Sequence, residues 1–218
     1  PAILRRGNPF DAFVSNSHAG FDELPRGAHI GTSSLRRQCL ARALRPDLRV
    51  TPLRGNVNTR LAKLDRGDFD AILLAAAGLE RLGFSGRIRQ GLGTDDWVPA
   101  PGQGAVGIEC REGDEWLHEQ LSALQDADTA TCVRAERAVT WRLEGSCQVP
   151  IGAHARLADG QLHLRAMVGW PDGTGVIRGE RTGEPGRAEE LGDDLGRELL
   201  ERGGGEILRA LEHGAGDG

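Results

Sequence analysis

Apolar and polar residues between positions 28 and 83 follow one pattern that is repeated three times. Each repeat begins with a short apolar run and continues into a segment whose apolar residues recur every three or four positions, the spacing of one helix face. The strand-like runs are AHIGT, DLRVTPL and FDAILLA, and the helix-like segments are SSLRRQCLARALR, NVNTRLAKL and AAGLERLG. The third run is apolar throughout, as in a parallel strand buried on both faces. This alternation predicts an α/β domain with right-handed crossovers.

The pattern changes after the Pro/Gly-rich segment VPAPGQG at residues 98–104. A short strand (AVGIEC), a helix (DEWLHEQLSAL) and one long helix (ADTATCVRAERAVTWRLEG) are predicted next. Three strand-like segments follow, separated by Asp-Gly pairs at 159–160 and 172–173, which are typical hairpin turns. Helices are predicted from 187 to 212, with a break at Gly203–Gly205. This half therefore predicts a small α+β domain with an antiparallel sheet.

Composition narrows the class of protein. The 218 residues, 39% of them hydrophobic, are enough for two domains, and no apolar run approaches the length of a membrane span. The four cysteines lack Cys-x-x-Cys spacing, which argues against a disulfide framework or a zinc site and is compatible with a reducing cytosol. The histidines are scattered too, so we expect a cytoplasmic protein without a metal site.

Charge is unevenly distributed along the chain. The net charge is −5, yet residues 31–66 hold nine basic and two acidic residues. A genome with biased codon use explains why the chain uses arginine in place of lysine. It does not explain why the basic residues cluster between residues 31 and 66. A local basic surface on an acidic protein favours a discrete anionic ligand over a nucleic-acid backbone. Aromatic residues are only 4% of the chain, so stacking platforms for single strands are not expected.

The three predicted strand-to-helix corners all carry arginine. They hold Ser33, Ser34, Arg36 and Arg37 at the first corner, Arg54, Asn56 and Arg60 at the second, and Arg81 at the third. An arginine in a first helical turn faces the positive end of the helix dipole, at a cost of about 0.3–1 kcal/mol. Helix N-termini bind carboxylate or phosphate, and a guanidinium adds a two-pronged hydrogen bond. Since corners of a parallel sheet lie at one edge, three of them favour a polyanion pocket.

Ordinary capping by Ser and Asn, with solvated arginines, is the alternative interpretation of these corners. If the arginines do bind an anion, their charge costs stability whenever the anion is absent. We therefore expect Arg36→Leu or Arg54→Leu to weaken ligand binding and to leave the melting temperature unchanged or raised.

A cysteine lies in the turn-like segment LEGSCQVPIG at residues 143–152. A structural cysteine usually lies on an apolar helix or strand face, whereas Gly145 and Pro150 disfavour regular structure on either side of Cys147. The thiol of Cys147 is therefore predicted at a loop tip, where it is available for chemistry.

Four segments resemble the porphobilinogen deaminase (hydroxymethylbilane synthase) family. They are GTSSLRRQCLARALRPDL, LRGNVNTRLAKLDRGDFDAILLAAAGLERLG, PGQGAVGIECR and RLEGSCQVPIG, and the resemblance runs from about Asp11 to the last helix. It implies that Cys147 holds a dipyrromethane cofactor through a thioether. It also implies a monomeric transferase of heme biosynthesis that adds four porphobilinogen units to this primer, releases ammonia each time and frees the linear tetrapyrrole by hydrolysis.

The resemblance also assigns roles to the corner residues. The implied cofactor-binding residues are Thr32, Ser33, Ser34, Arg36, Arg37, Arg54 and Asn56, and the implied substrate-binding residues are Arg54, Arg60, Arg81 and Gln103. Each pyrrole carries acetate and propionate groups, and a bidentate guanidinium suits a carboxylate. The implied partners are porphobilinogen and oligopyrrole intermediates, without nucleic acid or membrane.

One family feature does not occur in these 218 residues. The family's first domain carries a Ser-Met-Lys-Asp-Val-Pro motif, whose aspartate stabilises positive charge on the pyrrole nitrogens. By analogy, residues 1–9 end that domain, 10–98 form the anion-binding α/β domain, 99–125 hold a hinge and a segment returning to the first domain, and 126–218 form the α+β domain with Cys147. We expect no catalytic residue in this chain, which should fold at least in part and lack activity alone.

Two other functions stay open. The α/β half also resembles periplasmic-binding-type folds, which hold carboxylates at helix N-termini, so a non-catalytic carboxylate-binding module is the main alternative. A nucleic-acid binder that uses the basic cluster is a weaker one. Only the deaminase predicts a covalent pyrrole that reacts with an acidic aldehyde reagent.

Overall fold

The computed structural model describes residues 2–93, 96–144 and 149–214. Its strands are β1 (Ala2–Ile3), β2 (Asp11–Val14), β3 (His29–Gly31), β4 (Arg49–Thr51), β5 (Ala71–Ala75), β6 (Gln90–Leu92), β7 (Gly107–Ile108), β8 (Ile151–Ala158), β9 (Gln161–Gly169) and β10 (Val176–Gly183). Its α-helices are α1 (Leu35–Leu44), α2 (Val57–Asp65), α3 (Ala76–Arg81), α4 (Glu115–Ser122), α5 (Ala127–Arg142), α6 (Ala188–Leu199) and α7 (Gly205–Gly214). Within these ranges, no helix has the length and apolar character needed to cross a bilayer.

A mixed five-stranded sheet, in the order β4-β3-β5-β2-β6, forms the first half of the molecule. β3 runs parallel to both β4 and β5, which confirms the three predicted strand–helix repeats. β2 runs antiparallel to β5 and to β6, and neither β2 nor β6 was predicted from the sequence. Because β2 runs in the opposite direction, its first residue, Asp11, is paired with Ala75 at the edge where β5 ends.

Alternate residues of β5 enter two different cores, so the sheet is covered on both faces. Ile72 and Leu74 pack with Leu61 and Leu64 of α2. Leu73 points to the other face, into a core that includes residues of α1. The prediction of a doubly buried strand is confirmed.

The second half is an antiparallel sheet in the order β10-β9-β8, with α5, α6 and α7 against one face. Val168 of β9 belongs to the same core as Val139 of α5 and Leu195 of α6. The two helices approach closely because residue 192 is glycine, where a Cβ would lie 2.3 Å from the carbonyl oxygen of Ala135. The predicted α+β half is thus confirmed.

The segment before β2 joins the two halves. β1 pairs antiparallel with β7, so the predicted strand AVGIEC is present in shortened form and has one edge covered. The carbonyl oxygen of Ile3 accepts a hydrogen bond from the N–H of Asp126, at the start of α5, at 2.9 Å. On the outer face of the second sheet, Met167 of β9 packs into the core of the first half.

Candidate functional site

The first two corners are built as helix N-termini with side-chain caps. Ser34 caps α1 by accepting a hydrogen bond from the N–H of Arg37 at 3.4 Å. Asn56 caps α2 by accepting one from the N–H of Thr59 at 2.9 Å. The predicted caps are confirmed, whereas α3, at the third corner, has no side-chain cap.

Ser33 and Thr32 connect these two corners. The Ser33 hydroxyl donates to the carbonyl oxygen of Leu53 at 2.8 Å. The N–H of Thr32 donates to the carbonyl oxygen of Thr51 at 3.0 Å, and its buried hydroxyl accepts from the N–H of Ser34 at 3.2 Å. The N-termini of α1 and α2 therefore lie side by side at one edge of the sheet.

The two arginines in the first turn of α1 are buried against one carboxylate, that of Asp11. Arg36 donates through Nη1 to Oδ2 of Asp11 at 2.7 Å and through Nη2 to Oδ1 at 3.1 Å. Arg37 donates through Nε to Oδ1 at 2.9 Å. Asp11 is fully buried, and Arg36 and Arg37 are only 4% and 8% exposed.

This arrangement corrects one expectation from the sequence. Arg36 and Arg37 already have an anion inside the chain, so their charge is not a cost that only a ligand can offset. Because breaking a buried ion pair is strongly destabilising, the reason for expecting Arg36→Leu to leave the melting temperature unchanged is wrong.

Two more side chains complete the cluster that Asp11 forms with Arg36 and Arg37: Trp97, just before the Pro/Gly-rich segment, and Gln103, within it. The indole N–H of Trp97 donates to Oδ2 of Asp11 at 2.5 Å, and Nε2 of Gln103 donates to Oδ1 at 3.0 Å. Burial alone would raise the pKa of Asp11, but the charges and hydrogen bonds of Arg36 and Arg37 outweigh it and hold the pKa well below its usual range. Asp11 is therefore a carboxylate throughout the physiological pH range.

The other three corner arginines are more open to solvent. Arg54 and Arg81 are exposed, and Arg60 is half-buried. Nε of Arg60 donates to the carbonyl oxygen of Gly55 at 2.7 Å, and Nη2 of Arg81 donates to that of Gly104 at 3.1 Å. Among the described residues none of the three forms an ion pair with a carboxylate. These guanidinium groups are available to an anionic ligand.

The predicted cofactor anchor, Cys147, lies outside the described residues. Of the other cysteines, Cys39 and Cys132 are buried, and burial raises the pKa of each thiol to about 11. Cys110 is partly buried. A thiol with a raised pKa is a poor nucleophile because the thiolate is the reactive form.

A second buried carboxylate, Glu136 of α5, was also missed from the sequence. Arg6 donates to it through Nη1 at 2.6 Å and Nη2 at 2.9 Å, and the backbone N–H groups of Gly102 and Ala155 each donate at 2.7 Å. Burial raises the pKa of Glu136 against the opposing effect of Arg6. One feature of the sequence could have indicated its burial: Glu136 is three residues before Val139 and therefore lies on the same, core-facing side of α5.

The fold is that of an α/β protein with an antiparallel α+β half, and its site is a sheet edge with two capped helix N-termini and several arginines. Residues 1–119 match the family model described as "Porphobilinogen deaminase, dipyromethane cofactor binding domain". Residues 130–201 match the model described as "Porphobilinogen deaminase, C-terminal domain". The chain belongs to the porphobilinogen deaminase family, whose members are transferases of tetrapyrrole biosynthesis, and dipyrromethane is the cofactor of the matched domain.

One solved structure with a similar chain is a periplasmic binding protein of Salmonella typhimurium, described as having high arginine specificity. It is 15% identical, with a TM-score of 0.34, and the match covers 59% of this chain and 59% of that chain. A likeness this distant supports no statement about ligands.

Proposed function

We propose that the chain is the carboxylate-holding part of a hydroxymethylbilane synthase. In this role it would help to join four porphobilinogen units on a dipyrromethane primer, with release of ammonia at each addition. The observation that carries the proposal is the sheet edge where two capped helix N-termini lie beside a buried Arg–Asp–Arg cluster, together with three open guanidinium groups in the segments that follow β4 and β5. Such an edge suits a ligand with several carboxylates.

The residues at this edge fit a dipyrromethane by the chemistry of their donors. The outward set that would hold its carboxylates and those of incoming pyrroles is Arg54, Arg60 and Arg81, with Ser33, Ser34 and Asn56 around them. Thr32 and Gln103 would support this set from the buried side, since Thr32 is buried and Gln103 donates to Asp11. Arg36 and Arg37 would act from beneath, since Asp11 already holds them and their side chains are nearly buried. When bound, the dipyrromethane supplies the pyrrole carbon to which the next unit is joined.

We further propose that Cys147 is the cofactor anchor, through a thioether. Support comes from the sequence of its turn and from the other thiols. Cys39 and Cys132 are buried, with raised pKa values, and are therefore poorly suited to bond formation.

These 218 residues lack the Ser-Met-Lys-Asp-Val-Pro motif, so they hold no carboxylate in the role that the family gives to its aspartate. We propose that residues 1–218, taken alone, bind pyrrole carboxylates without turning porphobilinogen over. Electrostatic stabilisation by one well-placed group is commonly worth about 10²–10³ in rate, so its loss should lower turnover by at least that factor.

The test is to incubate purified residues 1–218 with porphobilinogen, to follow its consumption, and to weigh the intact protein. Binding without turnover supports the proposal, and turnover near that of a complete enzyme contradicts the missing-carboxylate argument. If a longer chain that includes the family's first domain gains neither a covalent pyrrole nor colour with an acidic aldehyde reagent, these residues form a non-catalytic carboxylate-binding module instead.

A further inference from the structure

Asp11 reaches the arginines of α1 from a strand that is not adjacent to theirs. It begins β2, whereas α1 follows β3, and β5 lies between these two strands in the sheet. Only the antiparallel direction of β2 brings its first residue to the edge where β5 ends. The carboxylate is fully buried there, beneath the N-terminus of α1.

Both oxygens of Asp11 are fully used as acceptors. Oδ1 accepts from Nη2 of Arg36, Nε of Arg37 and Nε2 of Gln103 at 3.1, 2.9 and 3.0 Å. Oδ2 accepts from Nη1 of Arg36 and the indole N–H of Trp97 at 2.7 and 2.5 Å. Neither guanidinium group can rotate without breaking a bond to the carboxylate, so Asp11 fixes both of them.

The cluster nevertheless keeps an excess of positive charge, because two guanidinium groups share one carboxylate. Nε of Arg36 is buried without a hydrogen-bond partner in the described part of the chain. Arg60, from the second corner, is close enough to Arg37 to act on it electrostatically. A ligand anion at this edge would supply the missing negative charge without displacing Asp11.

We propose that Asp11 is a positioning residue for anion binding: it fixes Arg36 and Arg37 so that their uncompensated charge stays at the N-terminus of α1. The identity of the ligand, a carboxylate-bearing pyrrole, rests on the proposed function. The role of Asp11 itself rests on the hydrogen bonds and the charge count.

The proposal predicts that removal of the Asp11 charge weakens anion binding, whereas an explanation based on charge alone predicts that it tightens anion binding. If Asp11 acted only through its charge, or competed with the ligand for the arginines, Asp11→Asn would make the edge more positive and would tighten anion binding. If Asp11 positions the arginines, Asp11→Asn weakens binding, because an amide N–H₂ group would face guanidinium or indole donors and the cluster would lose its fixed geometry.

The experiment measures binding of citrate and of porphobilinogen to residues 1–218 by isothermal titration calorimetry. We expect Asp11→Asn to weaken citrate binding about tenfold or more. Asp11→Glu, which keeps the charge but moves it by one methylene, should lie between wild type and Asp11→Asn. Asp47→Asn, which removes the carboxylate of the Arg45–Asp47 pair away from this edge, should leave the affinity unchanged.

Folding is checked by circular dichroism, and affinities are compared only where each variant is folded. If Asp11→Asn does not fold, Trp97→Phe replaces it, since this change removes one donor to Asp11 and leaves every charge in place. Trp97→Phe should weaken citrate binding by about twofold or more, and an unchanged affinity would overturn the positioning role.

The two proposals fail in different ways. If wild type binds citrate but not porphobilinogen, and Asp11→Asn weakens the binding of citrate, the proposed function fails and the role of Asp11 stands. If porphobilinogen and citrate bind Asp11→Asn as tightly as wild type or more tightly, the role of Asp11 fails and the proposed function stands. If wild type binds neither anion, both are wrong.

Discussion

Replacing Arg6 by alanine should destabilise the protein by about 3–5 kcal/mol, the usual cost of removing one partner of a buried ion pair. Its partner, Glu136, is fully buried, and the Arg6 side chain is only 11% exposed. After the change the carboxylate keeps its place in the core but loses the bidentate guanidinium at 2.6 and 2.9 Å. Water has little access to replace it.

The neighbours of Glu136 allow a ranking of variants. In Arg6→Ala the N–H groups of Gly102 and Ala155 still donate to the carboxylate at 2.7 Å, which places the loss toward the lower end of the range. In Glu136→Ala these two donors lose their acceptor, at about 1–3 kcal/mol each when buried, and Arg6 loses its partner as well. We therefore expect Glu136→Ala to cost more than Arg6→Ala.

Urea unfolding at pH 7, followed by far-UV circular dichroism, gives the free energies of unfolding for both variants. Arg66→Ala is the matched control, because Arg66 and Asp68 form an exposed pair, with 64% and 42% of their side chains accessible. Such pairs are worth about 0–1 kcal/mol. The reasoning is refuted if Arg6→Ala costs no more than this control, or if Glu136→Ala costs less than Arg6→Ala.

Three further predictions follow from the site and the second sheet. Cys147→Ala should abolish the covalent pyrrole in a chain that includes the family's first domain, whereas Cys110→Ala should keep it; intact mass decides, and an adduct on Cys147→Ala would sink the assignment. Arg36→Leu should lower the free energy of unfolding by about 3 kcal/mol or more, because it breaks a buried pair, whereas Arg54→Leu should leave it unchanged and weaken citrate binding; equal stability of the two variants in urea would contradict this. Burial, followed by nearby arginines, lowers the pKa of His154 to about 4. Since an unfolded histidine titrates near a pKa of about 6.5, the stability that neutral His154 contributes should be complete above that pH and be lost as the pH falls toward 4. His154→Gln should flatten that part of the stability curve, and a variant that follows the wild-type curve would argue against His154.

Local patterns predicted the fold wherever neighbouring residues specify it. The parallel repeats follow from apolar spacing within about fifteen residues, and the Asp159–Gly160 hairpin follows from two residues that take positive φ. β2 was missed because its four residues follow Pro9 in a segment without alternation. The spacing of apolar residues does not indicate that this short strand pairs with β5 in the antiparallel direction.

At the candidate site, the helix caps were predicted from the sequence, but the buried ion pairs were not. Capping by Ser34 and Asn56 is local, so residue types and spacing were sufficient. The partner of Arg36 lies twenty-five residues earlier, on a strand that was itself missed, and a carboxylate gives no sequence signal of its burial. Glu136 posed the same difficulty, because an acid beside arginine in a helix resembles a solvated surface pair.

The sharing of β9 between two cores has a consequence for how the protein unfolds. Val168 packs with α5 and α6, while the adjacent Met167 lies in the core of the first half, and Arg42 of α1 donates to the carbonyl oxygen of Pro171 just beyond the strand at 2.7 Å. Unfolding of either half would expose the apolar residues on one face of β9 to water. Despite two sheets and two architectures, the chain should therefore melt in one cooperative transition, and the slowest-exchanging amides should include those of β9.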